Sequence, residues 1–159
     1  MNRSSHHTRE SEGQSPELSA VSRTLPIALL QAREAVMERF RPVLNAHDVT
    51  EQQWRVMRVL DEVTELDATA LASRATLLPP SLTRILRALE QRGFVQSKKD
   101  PADGRRALTA LTEAGRSFLR QVAPQSAAVY QEIEARLGSA RISHLLDELN
   151  FMLARLNDD

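Results

Sequence analysis

Residues Pro79 to Thr112 read PPSLTRILRALEQRGFVQSKKDPADGRRALTALT, and this stretch decides the fold. Leu82, Ile85, Leu86 and Leu89 recur at the 3.6-residue period of a helix and make one apolar face, which leaves Ser81, Thr83, Arg84, Arg87 and Gln91 for the other. Arg92-Gly93 is a stop signal: a cation at the negative end of the helix, then a residue that enters the left-handed region without a steric penalty. A strand from Phe94 to Lys99, a turn over Asp100-Pro101-Ala102-Asp103-Gly104, and a return strand from Ala107 to Leu111 follow. A helix that fits a major groove, followed at once by a hairpin with Arg105 and Arg106 beside its tip, is the outline of a winged helix-turn-helix.

Charge supports this reading only locally. The chain of 159 residues has 21 basic and 21 acidic side chains and no net charge. Between Ser81 and Arg106, however, seven basic residues face three acidic ones, a local +4 that the remainder must balance. Such an asymmetry suits one face turned to phosphate.

Working outward, Pro79-Pro80 separates this helix from a short one over 66–75, with Asp67 as its cap and Leu71 and Ala72 inside. A helix opens at Val49-Thr50-Glu51, with Thr50 as cap, and carries Trp54, Val56, Met57, Val59 and Leu60. Before it, a long helix starts near Thr24 with Pro26 in its first turn, and Pro42 should kink or pause it near Arg41. Behind the hairpin, Thr112-Glu113 starts a helix that Pro124 should bend and Gly138 should end. Ser139 caps a last helix with a stripe of Ile142, Leu145, Leu146, Leu149, Met152, Leu153 and Leu156. So wide a stripe calls for another helix, and a second copy of the chain is the natural partner for helices outside the winged core.

The expected architecture is therefore mainly α with a small β-hairpin wing, a winged helix-turn-helix core plus N- and C-terminal dimerisation helices. Its parts are a flexible tail over 1–23, an N-terminal helix over 24–47, a DNA-binding domain over 48–112, and dimerisation helices over 113–159. The 42% apolar content is enough for one core. The absence of cysteine excludes disulfides and thiolate metal sites and fits the cytoplasm. His6-His7, with no third ligand nearby, reads as part of the tail.

The order of elements resembles the MarR (multiple antibiotic resistance regulator) family from about Leu25 to Leu156. The most specific segment is Asp100-Pro101-Ala102-Asp103-Gly104-Arg105-Arg106 followed by Leu111-Thr112-Glu113-Ala114-Gly115, which is similar to the family's Asp-Pro-x-Asp-x-Arg and Leu-Thr-x-x-Gly. Gly104 departs from it, because many members carry Lys or Arg there. Leu29 to Ala35, Phe40-Arg41-Pro42, Leu71 to Ala75 and Pro80-Ser81-Leu82-Thr83 resemble repressors of homoprotocatechuate and nicotinate catabolism. The resemblance implies a homodimer on an inverted-repeat operator, released by a small aromatic carboxylic acid.

On that basis the DNA-binding set is Ser81, Thr83, Arg84, Arg87, Lys98, Lys99, Arg105 and Arg106. Arg84 or Arg87 can grip a guanine edge, Arg84 being the first choice, and Arg105 takes the wing position whose family counterpart enters the minor groove. Lys98 and Lys99 should meet phosphate, and Asp103 should hold an arginine in place. The plainer role for Arg87 or Arg92, and the one that suits Arg92 best, is to pair with Glu90 or with phosphate. For the acid, Arg33 and Arg74 are cations in otherwise apolar stretches, and Trp54, His47, Met37 and Phe40 are candidates to line an aromatic-sized pocket. Plain core packing is the first reading for Trp54 and Phe40, His47 suits a helix end equally, and Arg74 suits DNA backbone or Asp103. No cofactor and no metal is expected.

Two other classes compete. An enzyme has little behind it: there is no Gly-rich phosphate loop, no cysteine nucleophile, and no His-x-x-x-His or paired-carboxylate arrangement. A metal-sensing regulator or a winged-helix protein-interaction module would keep the fold and change the partner.

Overall fold

The computed structural model describes residue 20 and residues 23–157. The His6-His7 pair and most of the N-terminal tail lie outside the described residues. Helix α1 spans Leu25–Ala46, α2 Glu51–Asp61, strand β1 Leu66–Asp67, α3 Ala68–Arg74, α4 Pro79–Gln91, β2 Val95–Lys99, β3 Ala107–Leu111, α5 Glu113–Leu137 and α6 Ser139–Asn157. Contacts group the described residues up to Ala35 as one unit and those from Val36 onward as another.

Local chemistry sets most of these boundaries. Thr50 begins α2 with a full capping box: its hydroxyl accepts from the Gln53 backbone N–H while the Gln53 side chain accepts from the Thr50 N–H. Asp67 caps α3 by accepting from Ala70 N–H at 2.9 Å, and Thr112 caps α5 through Gly115 N–H at 3.0 Å. At the end of α4, Gly93 adopts φ +70, the left-handed turn that lets the chain leave for β2.

The structure corrects several expectations. Leu66 belongs to a strand, not to the third helix: β1 pairs antiparallel with β3, Leu66 opposite Thr109, so the hairpin is part of a three-stranded sheet in the order β1-β3-β2. A two-residue strand is too short to show a period, which hid it in the sequence. Helix α1 does not pause at Pro42, and α5 runs through Pro124 as one helix. Both prolines sit on exposed faces, with Phe40 and Leu44 buried either side of the first and Val122 buried beside the second. Packing of these flanking turns outweighs one missing hydrogen bond in each helix. Ser139 is the first residue of α6 rather than its cap; Gly138, at φ +86, turns the chain, and its carbonyl accepts from Ile142 N–H.

The core of the second unit is assembled by the winged module itself. Val56, Met57 and Leu60 of α2, Leu71 of α3, Leu82 and Leu89 of α4, Val95 of β2 and Leu111 of β3 are buried together with Leu119 of α5. Arg55 reaches from α2 to the carbonyls of Ala75 and Thr76, at 2.9 and 3.4 Å, and closes the turn that leads into α4. By contrast α6 buries no residue, and Leu145, Leu146, Leu153 and Leu156 are each more than half exposed. Among the described residues no helix is long and apolar enough to cross a membrane.

Candidate nucleic-acid interface and ligand cleft

Helix α4 starts with Pro79 and Pro80 in its first turn, where missing N–H groups cost least. Leu82, Ile85 and Leu89 fix its inner face on the core. The opposite face carries Thr83, Arg84 and Arg87, all exposed, with Ser81 half-buried at the edge. Arg84 and Arg87 are one turn apart on a common face. Neither makes an ion pair or side-chain hydrogen bond among the described residues, so both guanidinium forks are free for an outside partner. Thr83 donates its hydroxyl to the Pro79 carbonyl at 3.2 Å, which leaves its oxygen able to accept.

In the wing, Val95 opposes Leu111 and Lys99 opposes Ala107. The tip is closed by Asp100 N–H to the Arg106 carbonyl and Arg106 N–H to the Asp103 carbonyl, both 2.9 Å. Asp103 does hold an arginine: its Oδ1 accepts from Arg105 N–H at 3.1 Å and from Arg105 Nε at 3.3 Å. The Arg105 side chain is nevertheless 93% exposed, so it projects while its root is fixed. Two other wing cations are engaged in ways the sequence did not signal. Lys98 Nζ lies 2.7 Å from Glu65 Oε2, and Arg106 Nη2 lies 3.0 Å from Asp67 Oδ2. The Ala70 N–H first, and the Arg106 charge with it, hold the Asp67 carboxyl below its ordinary pKa. Lys99 is exposed with no protein partner among the described residues.

Arg92 does not pair with Glu90, one of the two roles expected of it. Glu90 accepts from the Ser97 hydroxyl at 2.7 Å, while Arg92 donates to the carbonyls of Asp48 and His47 and lies over the Phe94 ring.

A cleft of about 260 Å³ opens between α2 and α5, lined by Trp54 and Arg58 from the first and by Leu119, Ala123, Ser126, Ala127 and Tyr130 from the second. The α5 residues fall on one face, and the small side chains at 123, 126 and 127 are what leave room there. Phe40 meets the Tyr130 ring edge-on at 4.9 Å. Flat π faces, a hydroxyl at Ser126 and the Arg58 guanidinium, itself 2.9 Å from Asp61 Oδ2, make a surface suited to a planar anion.

Of the residues nominated for a ligand, Trp54 lines this cleft and Phe40 supports its wall. His47 does not join them; it packs edge-on against Phe118 at 6.0 Å, with Nε2 buried and without a hydrogen-bond partner among the described residues. Arg74 is exposed in the last turn of α3 and is not part of the cleft lining. Met37 is half-buried and Arg33 exposed on α1. Arg58 and Tyr130 were missed. The four-residue step from Trp54 to Arg58 would place both on one face of α2, but nothing in the sequence announces Tyr130, 72 positions further on.

The sequence model of the MarR family matches residues 49–107. The homoprotocatechuate degradative operon repressor of Escherichia coli is 42% identical over 128 residues, covering 79% of this chain and 86% of that protein. The chain belongs to the MarR family. Among solved structures, NadR in complex with 4-hydroxyphenylacetate is 40% identical, with a TM-score of 0.74 over 87% of this chain and 95% of that one. CouR, a transcriptional repressor bound to a 23-mer DNA duplex, is 28% identical with a TM-score of 0.77, covering 84% and 94%. This is accordingly a MarR-type transcription regulator: a DNA-binding, winged-helix protein of a dimeric family.

Proposed function

We propose that the protein is a homodimeric cytoplasmic repressor that sits on an inverted-repeat operator through α4 and the wing, and leaves it when a small aromatic carboxylic acid enters the α2–α5 cleft. The observation that carries the reading is the pairing, in one chain, of an unpaired Arg84/Arg87 face on α4 with a cleft that combines Trp54, Tyr130 and Arg58.

On DNA, two copies of α4 enter successive major grooves about 34 Å apart, so the site is a two-fold repeat. Arg84, nearer the start of α4, forks to guanine O6 and N7, a contact that discriminates by roughly 1–3 kcal/mol. Arg87, Ser81 and Thr83 meet base edges or phosphates. Arg105 enters the minor groove, where a narrow A·T tract attracts a guanidinium. Lys99 meets phosphate, and Lys98 and Arg106 do so at the cost of sharing their carboxylates. Residues 48–112 form the DNA-binding part, and the apolar stripe of α6 goes into the dimer. In the cleft, Arg58 receives the carboxylate in a bidentate fork while the ring lies between Trp54 and Tyr130. The relatives named for homoprotocatechuate degradation and for a 4-hydroxyphenylacetate complex support that class of acid.

Footprinting on the DNA upstream of the gene, with and without a panel of hydroxylated phenylacetic, benzoic and pyridine carboxylic acids, tests the whole reading. Protection of an inverted repeat that one acid abolishes is expected. Protection without two-fold symmetry sinks the operator half, and protection that no acid alters sinks the effector half.

A further inference from the structure

Arg92 stands at the exit of α4, as its C-cap residue. Its Nη1 donates to the Asp48 carbonyl at 2.5 Å and its Nη2 to the His47 carbonyl at 3.3 Å. These two carbonyls follow directly on α1, whose negative C-terminal end favours a cation. The guanidinium carbon also lies over two rings that stack on each other, 4.6 Å from the Phe94 centroid and 5.6 Å from that of Phe118 in α5. One side chain thus touches the end of α1, the root of the wing and the first turns of α5.

The turn it grips closes α1: Asp48 takes φ +52 as a left-handed cap, its N–H bonding the Asn45 carbonyl and Val49 N–H the Leu44 carbonyl. His47, its Nε2 buried with no hydrogen-bond partner among the described residues, packs on the same Phe118 ring. The wing root is fastened to α5 a second time, since Thr112 donates its N–H to the Phe94 carbonyl and its hydroxyl to the Gly93 carbonyl.

We infer that Arg92 is a positioning residue, the joint through which the state of α1 and α5 sets the angle at which α4 and the wing are offered to DNA. The acid-response half of this rests on the function proposed above, because Tyr130 and Phe118 lie on the same helix and a ligand that moves α5 moves the ring beneath Arg92. The operator half does not. The two carbonyls need a fork and the two rings need a flat cation, so lysine keeps the charge and loses the joint.

The test compares full-length wild type with Arg92→Lys and Arg92→Gln, using melting curves to confirm folding. Binding is measured to the footprinted operator and to a scrambled duplex of equal length over a salt series, with and without 4-hydroxyphenylacetate as probe. Acid binding is read from Trp54, the only tryptophan in the chain.

Both variants are expected to lose tenfold or more in operator affinity while scrambled DNA changes less than twofold and the salt slope stays at the wild-type value. Their acid-induced loss of operator affinity should shrink at least threefold although the probe still quenches Trp54. A salt slope lower by about one would make Arg92 a phosphate contact and overturn the proposal. So would an unchanged ratio of operator to scrambled affinity in a folded Arg92→Lys. If wild type binds the operator but ignores every acid, the effector reading fails, and the joint is then judged on the operator ratio and salt slope alone.

Discussion

The Arg106 guanidinium meets the Asp67 carboxylate at 3.0 Å, across 39 positions of sequence, and so ties the end of the wing to the cap of α3. The other Asp67 oxygen holds Ala70 N–H, which makes a single carboxylate both the start of one helix and the anchor of the wing. If Arg106 meets phosphate as proposed, DNA would compete with Asp67 for the same guanidinium.

Acid should report on that carboxylate. Its pKa is lower in the folded protein than the usual 3.8, because the charged form accepts from Ala70 N–H and faces Arg106. A group depressed on folding stabilises the folded state at pH values above its unfolded pKa, and that contribution disappears as pH falls through the folded value. Urea midpoints of wild type should thus drop as pH is lowered below about 4. Asp67→Asn should start lower at neutral pH and fall less steeply; parallel curves for the two proteins would show that Asp67 contributes nothing to the acid limb.

Arg84 and Lys99 should separate base reading from phosphate binding. Arg84→Ala is expected to cost about 1–3 kcal/mol on the operator and to relax discrimination at one base pair per half-site. Lys99→Ala is expected to weaken operator and scrambled DNA alike and to lower the salt slope by about one per subunit. Titrations of both variants on operators mutated one position at a time decide it. A uniform loss from Arg84→Ala would move that residue to the backbone.

The winged unit was legible because its signals are local. The α4 stripe, the Arg92-Gly93 stop and the Asp100 to Gly104 turn each act within a few residues, and the strand Ala107–Leu111 emerged with the expected ends. What escaped was set by distance. The bonds from Lys98 to Glu65 and Arg106 to Asp67 join residues more than thirty positions apart, and β1 exists only because β3 is there to pair with it. The same applies to the cleft: composition along α5 shows small residues at 123 and 127 but cannot say that Trp54 and Arg58 face them. A pocket depends on which helices meet, and helix pairing has no short-range signature.

Gly115 should tolerate no side chain. It is buried in the first turn of α5, and a Cβ there would overlap the Phe94 carbonyl oxygen, a backbone atom fixed by its bond from Thr112 N–H. Gly115→Ala must push α5 away from the wing root, at a cost of about 1–3 kcal/mol for overpacking a filled site. Gly104, with open space around its Cα, should accept alanine with little change. Thermal denaturation of the two variants checks the contrast, and equal melting temperatures would refute it.

Arg58 should be the residue on which the acid depends. It is exposed enough to be reached from solvent, and its partner Asp61 occupies only part of the five-donor fork. Arg58→Lys keeps the charge but loses the second parallel hydrogen bond, so the affinity for 4-hydroxyphenylacetate should fall about tenfold, near 1.4 kcal/mol, with operator affinity in its absence unchanged. Arg33→Ala and Arg74→Ala should leave the response intact, since neither belongs to the cleft lining. Trp54 fluorescence titrations give the affinity directly. A wild-type response in Arg58→Lys together with its loss in Arg74→Ala would move the carboxylate site out of the α2–α5 cleft and restore the cation chosen from sequence.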